Sequence, residues 1–341
     1  MGLKSNNQML CVAFILSLTF TSISSKCDGR TCRSDQSQRG ANQIKLAVQP
    51  QCGTLSSDKF VNFNTGINLD QIKASQTIYS FGDSWSSIGN ANGGVPKPAV
   101  SSGGTDPKYG GRASNGPMWT EDLASGDRIL KSYAIGGATV DRTVWKARAD
   151  RTDMVGHVDT FLSQKLSVEP NRELDISVPQ FPGSFFPVAE VVEILGVWLP
   201  YFTSSNKAIS AYRSLLFPSP TAPHFSKVVV QNFDSLVWNG FKKLKESKGI
   251  QFAYVDLMAL YQDIHEDPAS FGYKSVEACL KTADTTVGRC DDPDHFLYWI
   301  PSHPQYQTQR LMADWVRAVL DKCGNTPKRK ALTRRHSWGR L

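Results

Sequence analysis

The 341 residues contain no internal repeat, no Cys-x-x-Cys pair, no His-x-x-His spacing and no Asn-x-Ser/Thr sequon. Without the paired spacings, a structural zinc site is a poor reading, and no metal or cofactor is expected. Without a sequon, solubility does not rest on N-linked glycans. Long apolar runs are scarce as well. Met9 to Phe20 is too short for a comfortable membrane span, and Pro179 to Phe202 is interrupted by Pro182, Pro187, Glu190, Glu193 and Pro200. Positive charge is scarce where it would matter. The formal net charge of +7 is accounted for by Lys4 and by Lys328, Arg329, Lys330, Arg334, Arg335 and Arg340. The segment 324–341 holds those last six and no acid, so the body is nearly neutral. A basic tail of this kind argues against a nucleic-acid groove, and no nucleic-acid partner is expected.

What the chain does have points to export. Lys4, the apolar run and Ser22-Ile23-Ser24 read as a cleavable secretory signal over 1–24, with no membrane attachment afterwards. Cys11 leaves with it. Cys27, Cys32, Cys52, Cys279, Cys290 and Cys323 remain, an even number that suggests disulfides in a secreted, extracellular protein. Cys279 and Cys290 would close a short loop and are the favoured pair. The whole chain is 40% hydrophobic and 20% charged, a composition suited to a packed core. The expected layout is an N-terminal extension over 25–51, a domain over 52–323, and a disordered basic tail over 324–341.

Within that domain, Thr77-Ile78-Tyr79 is a β-prone run, read as a strand over about 76–81 and broken by Gly82-Asp83-Ser84. A strand end that presents a serine on a turn leaves the hydroxyl and the backbone N–H free to face a ligand. Residues 88–111 are rich in Gly, Pro and Ser and read as a long loop beside that serine. A helix is expected over Asn115–Ala124, a strand over Ser132–Ile135 ending at Gly136-Gly137, and a helix over Met154–Lys165. Residues 164–225 are atypical, because prolines recur and no strand-helix alternation emerges. Ser226 to Ser247 has helical spacing, Gln251 to Asp256 reads as a buried strand, and Gln305 to Leu320 as a last helix. This order predicts a three-layer α/β/α sandwich with a central parallel sheet, as in flavodoxin-like folds. Ligands of such sheets bind beyond the carboxyl ends of the strands, where Ser84 and Gly137 fall.

Several motifs in order resemble the SGNH/GDSL hydrolases. They are Phe81-Gly82-Asp83-Ser84, the run Gly111-Arg112-Ala113-Ser114-Asn115-Gly116-Pro117-Met118-Trp119, Tyr133-Ala134-Ile135-Gly136-Gly137, and Asp294 to Trp299 before Ser302-His303-Pro304. In detail the chain is most similar to fungal acetylesterases, the carbohydrate esterases of family sixteen. The resemblance implies Ser84 as nucleophile, His303 as general base, and an oxyanion hole from the Ser84 and Gly137 backbone N–H groups. It implies acylated carbohydrate or another small ester as substrate. Trp85, by its place beside Ser84, is expected to line the binding cleft, and Asn115 reads as a helix cap that also has a place in the pocket. Asp83 reads as structural, and His157, His224 and His265 have no ligand spacing.

Two positions depart from the family pattern. Three residues before His303, where the family carries an orienting aspartate, stands Ile300. Losing that acid alone lowers rates by on the order of 10⁴. Between Gln164 and Ser226 there is no Gly-x-Asn-Asp turn to supply the family's oxyanion asparagine; Gly196-Val197-Trp198 is the candidate for its strand. Asp292 and His295 have the family's spacing but sit in the wrong register; Asp292 and Asp294 are left as the acids able to fold back toward His303. Two functions stay open: a secreted acetylesterase working through an acyl-serine, or an impaired relative that binds acetylated carbohydrate with little turnover.

Overall fold

The strand that leads to Ser84 lies inside a sheet, with neighbours on both sides. The computed structural model describes residues 43–57, 61–67, 77–126, 128–138, 152–164, 173–177, 213–216, 238–243, 245–247 and 251–324. The signal segment, Cys27, Cys32, Gly196-Val197-Trp198 and the basic tail beyond residue 324 lie outside them. Contacts divide the chain into Met1–Gln43 and Ile44–Leu341; the elements that follow belong to the second unit.

The main sheet has six strands: β1 (Phe63–Asn64), β2 (Thr77–Phe81), β3 (Ile129–Ser132), β4 (Glu173–Ser177), β5 (Arg213–Leu216) and β6 (Gln251–Tyr254). Their spatial order is β1-β6-β5-β4-β2-β3. β2 pairs in parallel with β3 and with β4, and the parallel pairing continues through β5 to β6. Only the two-residue β1 runs antiparallel, at the β6 edge. From β2 the chain first moves outward to β3, then returns to β4 on the opposite side. The strand order therefore reverses at β2, and the crevice at such a reversal is where parallel sheets bind ligands.

Alternation along the strands sorts their side chains between the two faces. Ile78 joins a core with Ala253, Val255 and the helices α1 (Trp119–Leu123), α3 (Leu257–Glu266) and α5 (Tyr306–Lys322). Tyr79 and Phe81 point the other way and meet Phe161 of α2 (Met154–Ser163) edge-on, at 4.9 and 5.8 Å between ring centres. On that same face of β6, Phe252 and Tyr254 pack on Trp238, which is helical together with the other described residues of 238–243. A four-residue helix α4 (Pro268–Phe271) follows α3.

A second, three-stranded sheet carries the far end of the site. It is made of β7 (Ser275–Ala278), β8 (Phe296–Ile300) and β9 (His303–Pro304). β8 and β9 form a tight antiparallel hairpin in which Ile300 faces His303.

Several boundaries differ from the sequence reading. The third strand covers Ile129–Ser132 instead of Ser132–Ile135, because its pairing with β2 ends at Ser80↔Ser132. Tyr133 to Ile135 then run past the strand end, with the Tyr133 N–H on the Ser80 carbonyl and that of Ile135 on the Gly82 carbonyl. The atypical stretch supplies β4 and β5, which local pattern did not reveal. Residues 44–48 of the expected extension pack against the domain: Ile44 is buried, with Leu46 and Val48 beside it. Two disulfides close the domain, Cys279–Cys290 as expected and Cys52–Cys323.

Candidate active site

Ser84 stands three residues beyond β2. Gly82 turns the chain with φ +136°, a conformation few other residues adopt. Asp83 then ties the turn together. Its side chain accepts the Trp85 N–H at 2.9 Å, and its carbonyl accepts those of Ser86 and Ser87. Burial pushes the Asp83 carboxyl up to about 7, partly opposed by the N–H bonds it accepts. Asp83 therefore holds the turn and stays beneath the surface, while Ser84 remains partly exposed.

His303 reaches this turn from the hairpin, 219 residues later in the chain, and its Nε2 lies 2.8 Å from Ser84 Oγ. Its other ring nitrogen, Nδ1, lies 2.9 Å from the Pro301 carbonyl oxygen. A carbonyl can only accept, so Nδ1 carries the hydrogen and donates it. In the neutral ring Nε2 is then the lone-pair atom, and the Ser84 hydroxyl donates to it. One backbone oxygen thus fixes both the tautomer and the direction of the imidazole.

The hairpin builds that acceptor. Pro301 occupies the first central position of the Ile300–His303 turn, and Ser302 the second, with φ +62°. Proline followed by a positive φ is the pattern of a type II turn, in which the second position normally favours glycine. Ser302 is the single non-glycine residue with positive φ among the described residues, and such strain costs of order 1 kcal/mol or more. Beyond the hairpin, the Tyr306 N–H at the start of α5 donates to Asn115 Oδ1 at 2.7 Å. Gly116 lets that loop approach, since a Cβ there would come within 2.6 Å of the Tyr306 ring.

Burial lowers the His303 pKa below the ordinary imidazole value, and the Pro301 bond opposes this only in part. A general base works as the neutral ring, so in that role His303 would lose activity as pH falls through its lowered pKa. The kcat/KM profile for a neutral ester is expected to hold its plateau below pH 6.5 and fall with a single protonation further down. A midpoint above 6.5 in a stopped-flow pH series would contradict this.

The other predicted site residues are placed as follows. Trp85 is turned into the core, with its ring 5.6 Å from that of Tyr261 and its carbonyl accepting the Trp119 indole N–H. Gly136 lies beside Ser84: a Cβ built on it would sit 3.8 Å from the Ser84 Cβ. Gly137 follows with φ +79° inside a turn closed by the Ala138 N–H on the Ile135 carbonyl. Asn115 holds the start of α5. It also lines a cavity of about 620 Å³ together with Tyr109, Lys108, Arg289 and Trp299. Asp292 accepts from His295 Nδ1 at 2.7 Å and from Lys274, and these partners hold its carboxyl below the usual range. Asp294 offers its carbonyl to Gln305. Neither acid supplies the partner of His303 Nδ1. Among the described residues, no group of three or more His, Cys, Asp or Glu is arranged to hold a metal ion.

Ile300 is buried in a small core with Cys279, Leu280 and Trp299. Placing an acid at this position is therefore expected to bring no gain. Ile300→Asp would bury a carboxyl among apolar groups, where it protonates or destabilises, while Nδ1 is already taken. Wild-type or lower kcat with a reduced urea midpoint is the expected result; a tenfold rise in kcat would overturn it.

The sequence reading missed two residues of consequence. One is the acceptor for His303, which is backbone and has no side-chain signature. The other is Arg112, fully buried and paired with Glu121 through two bonds of 2.6 Å. It also donates to the carbonyls of Lys97, Tyr109 and Gly110, and so pins the 97–111 loop to α1.

Comparison with known proteins gives a structural likeness only. No family model matches the chain, and no curated protein matches it. Acetylxylan esterase Axe2 from Geobacillus stearothermophilus is 12% identical, with a TM-score of 0.38 over 73% of this chain and 96% of that one. LAE5, an α/β hydrolase from the metagenome of Lake Arreo, Spain, is 10% identical, with a TM-score of 0.38 over 75% of this chain and 100% of that one. Phospholipase A1 from Streptomyces albidoflavus is 12% identical, with a TM-score of 0.37 over 73% of this chain and 99% of that one. The chemistry assigned to this chain rests on its own side chains.

Proposed function

We propose that the protein is a secreted serine esterase of SGNH type that removes small acyl groups, in the first place acetyl, from carbohydrate. The observation that carries this reading is the two-bond line from Ser84 Oγ through His303 to the Pro301 carbonyl. The imidazole takes the serine proton as Oγ attacks the ester carbonyl. The resulting imidazolium then protonates the departing sugar oxygen, and the same base activates water to release the acid. The N–H groups of Ser84 and Gly137 are assigned to the tetrahedral oxyanion, and the closeness of Gly136 to Ser84 supports that assignment. Two such donors supply much of the rate, about 3–4 kcal/mol of barrier for each. The three-layer arrangement belongs to this proposal, supported by helices against both faces of β2. Secretion does too, supported by two disulfides.

A neutral carbonyl orients the ring as an aspartate does, but it stabilises the imidazolium less. This favours a slow enzyme over a non-catalytic carbohydrate binder, since an unused base would not need a fixed tautomer. The test is chemical. The full chain is mixed with p-nitrophenyl acetate and quenched in acid during turnover, and its peptides are weighed. An acetyl group on the peptide carrying Ser84 is expected, together with released p-nitrophenol. No release, or acetyl spread over surface lysines alone, would overturn the proposal.

A further inference from the structure

Ser84 and His303 are not among the residues that line the cavity of about 620 Å³, but the elements that hold them also hold its floor. Its walls come from two loops of separate origin. One is residues 101–109, and the other is the loop that the Cys279–Cys290 disulfide closes. The Thr286 N–H donates to the Thr105 carbonyl at 2.8 Å and joins the two loops. The floor is tied to the catalytic pair through three elements. Trp299 belongs to β8, the strand that pairs with His303. Asn115 holds the helix that starts three residues after His303. Gly110, at the end of the first loop, meets Gly89 so closely that a Cβ on Gly89 would come within 2.4 Å of its carbonyl.

The polar groups left for a ligand are mostly donors. Lys108 and Arg289 are exposed, and neither forms an ion pair among the described residues. Asn115 spends its Oδ1 on the Tyr306 N–H, so its NH₂ is turned away from that bond and is left as a donor. The one acid in the lining, Asp106, is exposed and accepts the Lys108 N–H of its own turn with one oxygen, so the lining sets two cations against one anion and is net positive. The Trp299 indole N–H is already spent on the Pro107 carbonyl, which leaves its ring and that of Tyr109 as apolar wall. Two cations, an amide donor and two rings in an open, sugar-sized groove fit a carboxylate-bearing ring better than a neutral one.

Building on the esterase reading above, we infer that this groove binds a uronate residue next to the acyl-bearing sugar, so that acidic carbohydrate is the favoured substrate class. The Arg289 guanidinium takes the carboxylate, with two parallel bonds where the geometry allows, and Lys108 adds a point charge. Both cations are exposed, so the gain is modest and weakens with salt.

Two measurements on the full chain test this. The first compares kcat/KM for an acetylated oligogalacturonide with that for a neutral acetylated xylo-oligosaccharide of similar length. A preference of about tenfold at low salt, carried by KM, is expected, and Lys108→Ala and Arg289→Ala should each cut the ratio about threefold. The second needs no turnover: calorimetric binding of unesterified trigalacturonate to the Ser84→Ala protein, repeated with Arg289→Ala added. Measurable binding that weakens with salt and with Arg289→Ala supports the groove. Equal binding of trigalacturonate and xylotriose, or equal kcat/KM ratios before and after the two substitutions, overturns it. A chain that binds trigalacturonate in this way but never releases p-nitrophenol keeps the groove and loses the esterase. A chain that hydrolyses acetate esters without any acidic preference does the reverse.

Discussion

Ser84→Ala is expected to lower kcat for p-nitrophenyl acetate about 10⁴-fold, His303→Ala to do the same, and the double variant to fall no further. Members of a nucleophile-base unit are lost together, so their effects do not add. The magnitude lies between two limits. Complete triads lose about 10⁶ when the serine goes, and roughly 10⁴ of that depends on the acid. Here a carbonyl at 2.9 Å supplies the orientation but not the charge, which puts the loss between those extremes. Steady-state rates of the three purified variants decide it. Equal rates in the wild type and Ser84→Ala would remove Ser84 from the chemistry. Additive losses would mean that His303 acts on something other than that hydroxyl.

Arg112→Ala is expected to cost about 3–5 kcal/mol of stability, the usual penalty for removing one partner of a buried pair. The guanidinium is wholly buried, and it bonds both Glu121 oxygens and three carbonyls of the 97–111 loop. Its removal strands those acceptors and releases the loop from α1. Arg112→Lys should recover little, because an ammonium cannot span two carboxylate oxygens and three carbonyls from one centre. Glu121→Gln should cost less than Arg112→Ala. Its remaining oxygen can still accept the Met118 N–H that begins α1, a bond of 2.8 Å in the native chain. Urea midpoints for the three variants would test the order. If Arg112→Ala shifts the midpoint no more than Glu121→Gln, the buried guanidinium is not the post that holds the loop.

How much of this could be read from residues alone depends on where the information lies. The Gly82-Asp83-Ser84 turn was legible because glycine and aspartate do their work within three residues. The last helix was legible because Leu311, Met312, Trp315, Val316 and Val319 repeat on one face. β4 and β5 were not, since four or five residues among prolines become strands only through pairing with neighbours far away in sequence. The third strand was placed three residues late because its end is set by register with β2, a long-range property. Trp85 was read as cleft wall from its adjacency to Ser84. A turn sends neighbouring side chains apart, and Trp85 entered the core. Ile300 looked like a lost function because motifs record side chains. The role it lacks falls to a main-chain oxygen one residue later, whose direction depends on a serine held at φ +62°.

The Cys52–Cys323 bond spans 271 residues and ties the two ends of the domain together, where Asn64 also reaches the Leu320 carbonyl. Between those cysteines the polypeptide is a closed ring. A protease that nicks an exposed connection opens the ring without freeing a fragment, so the clipped protein keeps its mass and migrates as one species until a thiol is added. Wherever proteases meet the folded chain, that closure turns a first cut from a loss into a scar.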